Sequence, residues 1–454
     1  MKVFMLGWEF PPFISGGLGT ACYGLTRGLH GLGHRITFVL PQTVAPVAAS
    51  FVELKSPSTG GQASSGDDFA GDLAKDLPNL DLRSVPTFMK PYDRPNQTPG
   101  DGISGSLTAQ PSLASSIATT QPPLGVTAPE TPAAEHLPAD GASATGYGSD
   151  LFSEVHRYAG VAMRMALGET FDVIHAHDWM TYPAGIAVAA VSGKPLVVHV
   201  HSTEFDRSGE NVNQRIYDIE RQGVHSAQKV IAVSHLTRNI LLQRYAAPPE
   251  KVEVVYNAID RNGNGVEAPP SIRSDEKIVL FLGRITMQKG PEYFLAAAKK
   301  VLEHRKKVRF IMAGSGDLAR RSIEMAAQMG IGRKVLFTGF LRGDDVSRVF
   351  KMADLYVMPS VSEPFGIAPL EALANEVPVL ISKQSGVSEI LTHVLKVDFW
   401  DINEMANKIL AVLRHPPLQA TLREHGNFEV RRLTWRVSAE GCVDVYRKAI
   451  GVMN

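Results

Sequence analysis

Short apolar segments alternate with amphipathic segments along two separate stretches of this chain. Apolar runs of about four to six residues between segments of helical spacing are typical of parallel strands with helices packed on both faces. The segments of the first series are Val3–Leu6, Ile36–Leu40, Asp172–His177, Leu196–His201, Val230–Ser234 and Val252–Tyr256. Those of the second series are Ile278–Leu282, Arg309–Ala313, Val335–Thr338, Leu355–Met358 and Val377–Ile381. The sequence therefore predicts an α/β protein built from two doubly wound domains.

A polar segment rich in glycine and proline, residues 258–277, separates the two series and predicts an interdomain linker. We therefore expect an N-terminal domain over residues 1–260 and a C-terminal domain over residues 261–435. The last residues, 436–454, are amphipathic and predict a helix that packs back on the first domain. Two such domains leave a cleft facing the carboxyl ends of both sheets, where doubly wound proteins bind ligands.

Residues 56–150 interrupt the first domain with a segment rich in Ser, Thr, Pro, Ala and Gly. Such a composition buries too little apolar area to offset the entropy of ordering the chain. We interpret the segment as a disordered surface insertion with a short strand near Leu82–Val85. Nothing in it indicates a function of its own.

The overall composition excludes several classes of protein. Lys and Arg together number 46, as do Asp and Glu, and this balance argues against a nucleic-acid binder or a basic membrane-surface protein. The two cysteines, Cys22 and Cys442, exclude a disulfide framework and favour a reducing compartment. The opening segment is too short for a signal peptide, and no run reaches the roughly 20 apolar residues of a membrane span. We expect a soluble cytoplasmic protein, and the oligomeric state stays open.

Two cations follow the first strand of the second domain. Arg284 lies at the strand exit and Lys289 lies just before a helix, in the stretch "LFLGRITMQKGPEYFL". Two positive charges that face a cleft suit a diphosphate, which they can neutralise without a metal ion. Solvated surface charges would have the same spacing, so this pattern alone decides nothing.

A second pattern is the pair of carboxylates in "VSEPFGIAPLEALANEVPVL". Gly366 starts a predicted helix that runs to Leu373; Glu363 lies in the loop before it, and Glu371 lies one to two turns inside. The first backbone N–H groups of a helix attract phosphate, and a glycine lets the ligand approach them closely. Carboxylates are good acceptors for the hydroxyl groups of a sugar or a ribose. The simpler alternative is a pair of ordinary carboxylates near a helix start.

The two patterns together resemble the donor site of family-4 retaining glycosyltransferases. The resemblance covers nearly the whole chain apart from the insertion, because "GGLG", "AHDW" and "GVSEI" fall where that family places them. It implies the GT-B fold, in which two Rossmann-like domains face a central cleft and the second domain binds the nucleotide sugar. "WEFPPFISGGLGTA" and "HAHDWMTYPAGI" are most similar to segments of glycogen and starch synthases.

The resemblance also implies roles for individual residues. Glu371 would hold the nucleotide ribose, Glu363 would contact the transferred hexose, and Arg284 and Lys289 would stabilise the leaving diphosphate. His177, which Asp178 and Trp179 follow, matches the family's sugar-contacting histidine better than His175 does. Backbone amides at four positions would bind phosphate or sugar oxygens: Gly16, Gly17, Gly366 and Ile367. No metal or cofactor is implied beyond the donor, UDP-glucose or ADP-glucose.

Polar residues after the fourth strand form the candidate acceptor side of the cleft. These are Asp178, Ser202, Thr203 and Glu204. Hydroxyl and carboxylate groups suit a carbohydrate, but the same residues also fit a capped helix start. By ligand type, His199, His201 and Glu204 could bind a metal ion, but we expect none because the family's chemistry does not require it.

One departure from the family pattern concerns the donor. Bacterial and plant synthases carry "KTGGL" in the first loop, whereas this chain has "ISGGL", with Ile14 in place of the phosphate-contacting lysine. This leaves the nucleotide base open between UDP and ADP.

We expect retaining transfer of a hexosyl group, most simply glucosyl, to the non-reducing end of an α-glucan. The alternatives are a family-4 transferase with another acceptor, such as a small sugar, a lipid or a cell-wall glycan, or a nucleotide-sugar epimerase. A two-lobed sugar-binding protein is disfavoured because no export signal is recognised. A dinucleotide oxidoreductase is disfavoured because no G-x-G-x-x-G follows the first strand.

Overall fold

The computed structural model describes residues 1–10, 16–41, 80–84, 151–259 and 276–451, and within residues 80–84 it describes the backbone alone. Most of the predicted linker and most of the predicted insertion lie outside these residues, as does Ile14. Among the described residues, helices and parallel strands alternate along the chain as the sequence predicts.

The first sheet has seven parallel strands in the order β3-β2-β1-β4-β5-β6-β7. The strands are β1 (Lys2–Leu6), β2 (Arg35–Leu40), β3 (Leu80–Ser84), β4 (Val173–His177), β5 (Leu196–Val200), β6 (Lys229–Ala232) and β7 (Val252–Val254). The described helices that accompany this sheet are α1 (Gly17–Gly31), α2 (Leu151–Ala166), α3 (Tyr182–Ser192), α4 (Glu204–Ser208), α5 (Gln214–Ser226) and α6 (His235–Arg244). The chain order reverses beside β1, which puts the carboxyl ends of β1 and β4 at a crevice where doubly wound sheets bind ligands.

The second sheet has six parallel strands in the order β10-β9-β8-β11-β12-β13. The strands are β8 (Lys277–Leu282), β9 (Val308–Ala313), β10 (Val335–Gly339), β11 (Leu355–Met358), β12 (Val379–Ser382) and β13 (Leu395–Val397). The helices of this half are α7 (Pro291–His304), α8 (Ala319–Gln328), α9 (Asp344–Met352), α10 (Ile367–Ala374), α11 (Ile402–Arg414) and α12 (Pro416–Val430). The predicted fold class, two doubly wound α/β sheets, is confirmed.

Two details differ from the sequence-based expectation. Helix α1 begins at Gly17, so the second glycine of the predicted loop segment "ISGGL" lies inside its first turn. The prediction was wrong because closely spaced glycines normally mark a turn, whereas here the helix starts among them. The edge strand β13 was also missed, because only three residues pair with β12 and one of them is Lys396.

The last helix, α13 (Trp435–Ile450), packs against the first sheet although it follows the second along the chain. Trp435 lies against α1 so closely that a Cβ built on Gly24 would be 2.1 Å from its indole ring. The Tyr446 hydroxyl bonds to His175 Nδ1 of β4 at 2.6 Å, and the Ser438 hydroxyl donates to the Tyr256 carbonyl. The core of the first sheet therefore includes a helix that follows the whole second sheet along the chain. No helix within the described ranges has both the length and the apolar character needed to cross a membrane.

Candidate active site

Contacts between the two halves of the protein lie at the border of the cleft. The Ser234 hydroxyl donates to the Pro364 carbonyl at 2.6 Å, and the Ser362 hydroxyl donates to Asp206 Oδ1 at 2.5 Å. The Glu389 carboxylate accepts hydrogen bonds from the backbone amides of His235 and Leu236, at the start of α6, at 2.9 and 2.7 Å. These bonds fix the loop that carries Glu363 against the carboxyl edge of the first sheet.

Lys289 and Glu363, which are 74 residues apart in sequence, form an ion pair with 2.5 Å between Nζ and Oε2. The Ser360 hydroxyl donates to the same carboxylate oxygen at 3.1 Å. Gly290, next to Lys289, has φ 65°, and a Cβ there would lie 2.2 Å from the Pro359 carbonyl oxygen. The close approach of the two loops requires a glycine, and it is this approach that brings the cation to the carboxylate.

Arg284 lies at the exit of β8, as the sequence predicts, and its guanidinium lies 3.5 Å from Oε1 of the buried Gln288. The loop after β9 approaches this exit closely, because a Cβ on Gly314 would lie 1.9 Å from the Gly283 carbonyl oxygen. Arg284 and Lys289 therefore lie on one short connection between β8 and α7. Close backbone contacts at Gly283 and at Gly290 fix the two ends of this connection.

Helix α10 begins at Gly366, which has φ 108° and makes no side-chain capping bond. The first N–H groups of the helix, starting with that of Ile367, are the groups that a helix start offers to anions. A Cβ on Gly366 would lie 3.3 Å from Cγ of Glu363, so carboxylate and helix start are adjacent. Glu371 is half-buried on the second turn, and burial raises its pKa from 4.5 to about 7. Desolvation has this effect because it disfavours the charged carboxylate.

On the first-sheet side, α1 starts beneath the carboxyl end of β1. The Glu9 carboxylate, only 1% exposed, accepts a hydrogen bond from the Gly19 amide at 3.0 Å. A Cβ on Gly17 would meet nothing within 4 Å, so there is space beside the first turn. No role for Glu9 follows from the sequence; in the structure its carboxylate accepts from one N–H at the start of α1.

Four buried or half-buried histidines line the exits of β4 and β5: His175, His177, His199 and His201. His175 and His177 lie on one face of β4, as their spacing predicts, with ring centroids 4.2 Å apart. His177 Nδ1 lies 2.9 Å from His201 Nε2, and His175 Nε2 lies 3.2 Å from His199 Nδ1. Burial lowers the pKa of all four, to about 3 for His175 and for His201. The four rings are therefore neutral at pH 7.

The predicted acceptor-side residues have protein partners for most of their polar atoms. Asp178 Oδ1 accepts from the amides of His201 and Ser202 at 2.7 and 3.3 Å, and burial raises its pKa to about 7. Thr203 caps α4 in a reciprocal capping box, and the Glu204 carboxylate bonds to Arg207 at 3.1 Å. Ser202 is half-buried and is the most accessible of the set. The capped-helix alternative thus describes Thr203, and the Glu204 carboxylate is unavailable to His199 and His201 as a metal ligand.

Two groups that the sequence did not single out contribute to the site. Gln288 is buried between Arg284 and the loop after β11. Its backbone carbonyl accepts a hydrogen bond from the backbone amide of Val361 in that loop at 2.9 Å. Glu389 joins the two halves, and only its place in the "GVSEI" segment pointed to it. The roles of both residues come from contacts with distant segments, which local sequence patterns do not indicate.

Comparisons with known proteins show which families and relatives the chain is similar to. Residues 267–427 match the glycosyl transferases group 1, residues 126–262 match glycosyltransferase family 4, and residues 2–59 match the starch synthase catalytic domain. An uncharacterised glycosyltransferase of Methanocaldococcus jannaschii is 29% identical over 409 residues, which cover 87% of this chain and 83% of that protein. A D-inositol 3-phosphate glycosyltransferase of Segniliparus rotundus is 27% identical, over 66% of this chain and 72% of its own.

Solved structures establish the fold. Sucrose-phosphate synthase from Thermosynechococcus elongatus superposes with a TM-score of 0.69 at 17% identity and covers all of both chains. The Anabaena protein HepE, solved in complex with UDP-glucose, superposes with a TM-score of 0.64 at 16% identity over 98% of each chain. The matches to the glycosyltransferase family models, together with this fold, show that the chain is a glycosyltransferase. It belongs to the family-4 glycosyltransferases with the GT-B fold.

Proposed function

We propose that the protein is a retaining glucosyltransferase that moves glucose from UDP-glucose to the non-reducing end of an α-glucan. The observation that carries the donor half of this proposal is the Lys289–Glu363 ion pair beside the Gly366 helix start. It sets a cation, a carboxylate and helix N–H groups together at one point of the cleft. A nucleoside-diphosphate sugar presents a diphosphate and sugar hydroxyls to such groups at the same time.

The leaving diphosphate develops negative charge as the bond between C1 and its oxygen breaks. That charge would be stabilised by Arg284, Lys289 and the N–H groups at the start of α10. Because these groups are already in place before the bond breaks, they would lower the barrier to transfer. The acceptor hydroxyl would attack C1 from the same face and pass its proton to the departing phosphate oxygen. Because attack from the same face needs no protein nucleophile, Glu363 and Glu371 would not serve as the acid and nucleophile of a glycosidase.

The donor sugar and the ribose would contact different carboxylates. Glu363 is adjacent to the helix start and would bind hexose hydroxyls, whereas Glu371 lies deeper along α10 and would accept from the ribose diol. By the family resemblance, His177 at the end of β4 would contact the hexose, and Nε2 is the ring nitrogen that has no partner among the described residues. Gly16 and Gly17, at the open start of α1, would approach phosphate or sugar oxygens.

Two observations favour UDP-glucose over ADP-glucose. The first loop has Ile14 where ADP-glucose synthases of the family have a lysine, and Glu9 adds a carboxylate at the first turn of α1. HepE, a structural neighbour, was solved with UDP-glucose. A site with less positive charge in this loop has to hold its donor mainly through the second domain.

The α-glucan acceptor rests on the match of residues 2–59 to the starch synthase catalytic domain. A second candidate acceptor is a small phosphorylated polyol, which the similarity to D-inositol 3-phosphate glycosyltransferases favours. The two acceptors differ in size and charge, so one assay separates them.

The test measures release of nucleoside diphosphate from UDP-glucose and ADP-glucose with an α-glucan primer, with inositol 3-phosphate, or with no acceptor. Primer-dependent UDP release with radiolabel entering the polymer would support the first proposal, and inositol phosphate dependence would replace it with the second. A product with inverted anomeric configuration would refute retention. Arg284→Ala should abolish release with any acceptor while Arg320→Ala, an exposed arginine on α8, should not.

A further inference from the structure

The histidines at the exits of β4 and β5 form a more specific arrangement than a sugar contact needs. One ring nitrogen from each of His175, His177 and His199 lies within 4.8 Å of the other two, and all three residues are buried. The register of the sheet causes this, because His177 of β4 pairs directly with His199 of β5 and His175 lies two positions earlier on the same face. Imidazole nitrogens are the ligands that zinc and its neighbours in the first transition row prefer.

Two ring nitrogens of these three histidines find no hydrogen-bond partner among the described residues. They are Nε2 of His177 and Nε2 of His199, on side chains that are 0% and 2% exposed. A buried polar atom left unpaired costs about 1–3 kcal/mol. Two such atoms in one cluster of potential metal ligands therefore indicate that both have the same binding partner.

The surrounding hydrogen bonds are those of a supported metal site. His175 Nδ1 bonds to the Tyr446 hydroxyl at 2.6 Å, and His177 Nδ1 bonds to His201 Nε2 at 2.9 Å. When each Nδ1 carries the proton and donates it, the lone pair of the same ring lies on Nε2. Metal-binding histidines are usually oriented in this way, by a partner for the ring nitrogen that does not bind the metal.

We propose that His175, His177 and His199 bind a single divalent transition-metal ion of the zinc class, with Tyr446 and His201 orienting two of the rings. The 4.8 Å limit on the ligand atoms exceeds the separation in a tetrahedral zinc site, where nitrogen atoms about 2.0–2.1 Å from the ion lie about 3.4 Å apart. Small rotations of the rings close that gap, at the cost of the 3.2 Å bond between His175 and His199. A site of three imidazoles leaves a fourth position for water.

The ion has a consequence for transfer that rests on the proposed role of His177. A metal ion on His177 Nε2 removes the nitrogen that would contact the hexose, so binding of zinc inhibits glucosyl transfer. The cluster would then act as an inhibitory site within the first domain. Binding and inhibition are measured separately, so a failure of one does not decide the other.

The first experiment adds Co²⁺ to chelator-treated protein without a polyhistidine tag and records the visible spectrum. Tetrahedral coordination by imidazoles gives intense d–d bands, whereas cobalt on surface groups stays octahedral and pale. Bands that saturate at one ion per chain and disappear on addition of Zn²⁺ are expected. Absence of the bands from the folded wild-type protein would overturn the proposal, whatever any variant does.

Variants then locate the ion, with zinc affinity measured by competition against a chromophoric chelator. His199→Gln removes a ligand and should lower the affinity by more than about 100-fold, and Tyr446→Phe, which removes one orienting bond, by about 10–100-fold. His393→Gln is the matched control, because His393 stacks on His425 at the surface. Loss of binding in the control alone would overturn the assignment. Circular dichroism checks that each metal-free variant is folded. If His199→Gln is not folded, Tyr446→Phe still tests the assignment of the ion to this cluster.

The activity assay follows the same proteins. Zinc should inhibit UDP release by the wild type, a chelator should restore it, and His199→Gln should be much less sensitive. Cobalt and zinc binding without inhibition would refute the contact between His177 and the hexose and leave the metal site intact. Inhibition that His393→Gln abolishes would place the inhibitory ion at the surface instead.

Discussion

Glu371→Gln tests whether desolvation sets the charge of the carboxylate on α10. Burial raises the pKa of this group from 4.5 to about 7. Between these values the folded chain keeps a proton that the unfolded chain has released, so the stability of the wild type should fall as the pH rises through this window. The shift corresponds to about 3 kcal/mol as an upper limit, since each pKa unit is about 1.4 kcal/mol and Glu371 is half-buried.

The assay is the melting temperature by calorimetry at pH 5 and at pH 8 for the wild type and the variant. Glutamine carries no charge, so Glu371→Gln should gain stability over the wild type at pH 8 relative to pH 5. For a domain of this size, 1 kcal/mol shifts the melting temperature by about 2–4 °C, so the relative gain should be several degrees and at most about 12 °C.

A control and a functional readout make the result specific. Glu376→Gln changes an exposed glutamate just after the same helix and should leave the pH profile of the wild type unchanged. In the transferase assay, the ionised Glu371 is the better acceptor for a ribose diol, so the KM for the donor should rise as the pH falls below about 7 and the variant should lack this rise. Coincident melting profiles of Glu371→Gln and the wild type from pH 5 to pH 8 would refute the reasoning.

Three further changes test other parts of the structure. Lys289→Ala should lower kcat by about 10²–10³-fold, because it removes one preorganised donor to the leaving diphosphate, and a loss confined to KM would contradict this. Gly24→Ala should destabilise the protein by about 1–3 kcal/mol, because the new Cβ would lie 2.1 Å from Trp435. Gly31→Ala on the same helix is the control, because its Cβ would meet nothing within 4 Å. Equal melting temperatures of the two variants would refute the clash. Glu389→Ala should speed hydrogen exchange at the Leu236 amide, which loses its 2.7 Å bond, while Glu440→Ala, on the exposed face of α13, leaves the rate unchanged.

The strands were predictable because each is a compact apolar run. Leu355–Met358 was predicted to the residue, and it is buried along its whole length at the centre of its sheet. The three-residue edge strand at Leu395–Val397 gave no such signal, because an edge strand buries less and tolerates Lys396. Core position, more than length, decides how clearly a strand can be recognised in a sequence.

The candidate site was predictable only in part. The spacing of Arg284, Lys289, Glu363 and Glu371 is local to two segments, and it carries the family resemblance. The contacts that complete the site join distant segments: Lys289 to Glu363 across 74 residues and His175 to Tyr446 across 271. Nothing in either local pattern indicates the partner, because these pairings depend on the packing of loops and of the last helix.

The position of α13 has a consequence for the synthesis of this protein. Domains generally fold as units while the ribosome makes them, the N-terminal one first. Here Trp435 and Tyr446, both almost fully buried in the core of the first sheet, leave the ribosome only after every strand of the second sheet has been made. The first half of the chain therefore waits, with part of its apolar surface uncovered, until the second half has been translated. A premature stop before Trp435 would harm the half of the protein that had been translated first.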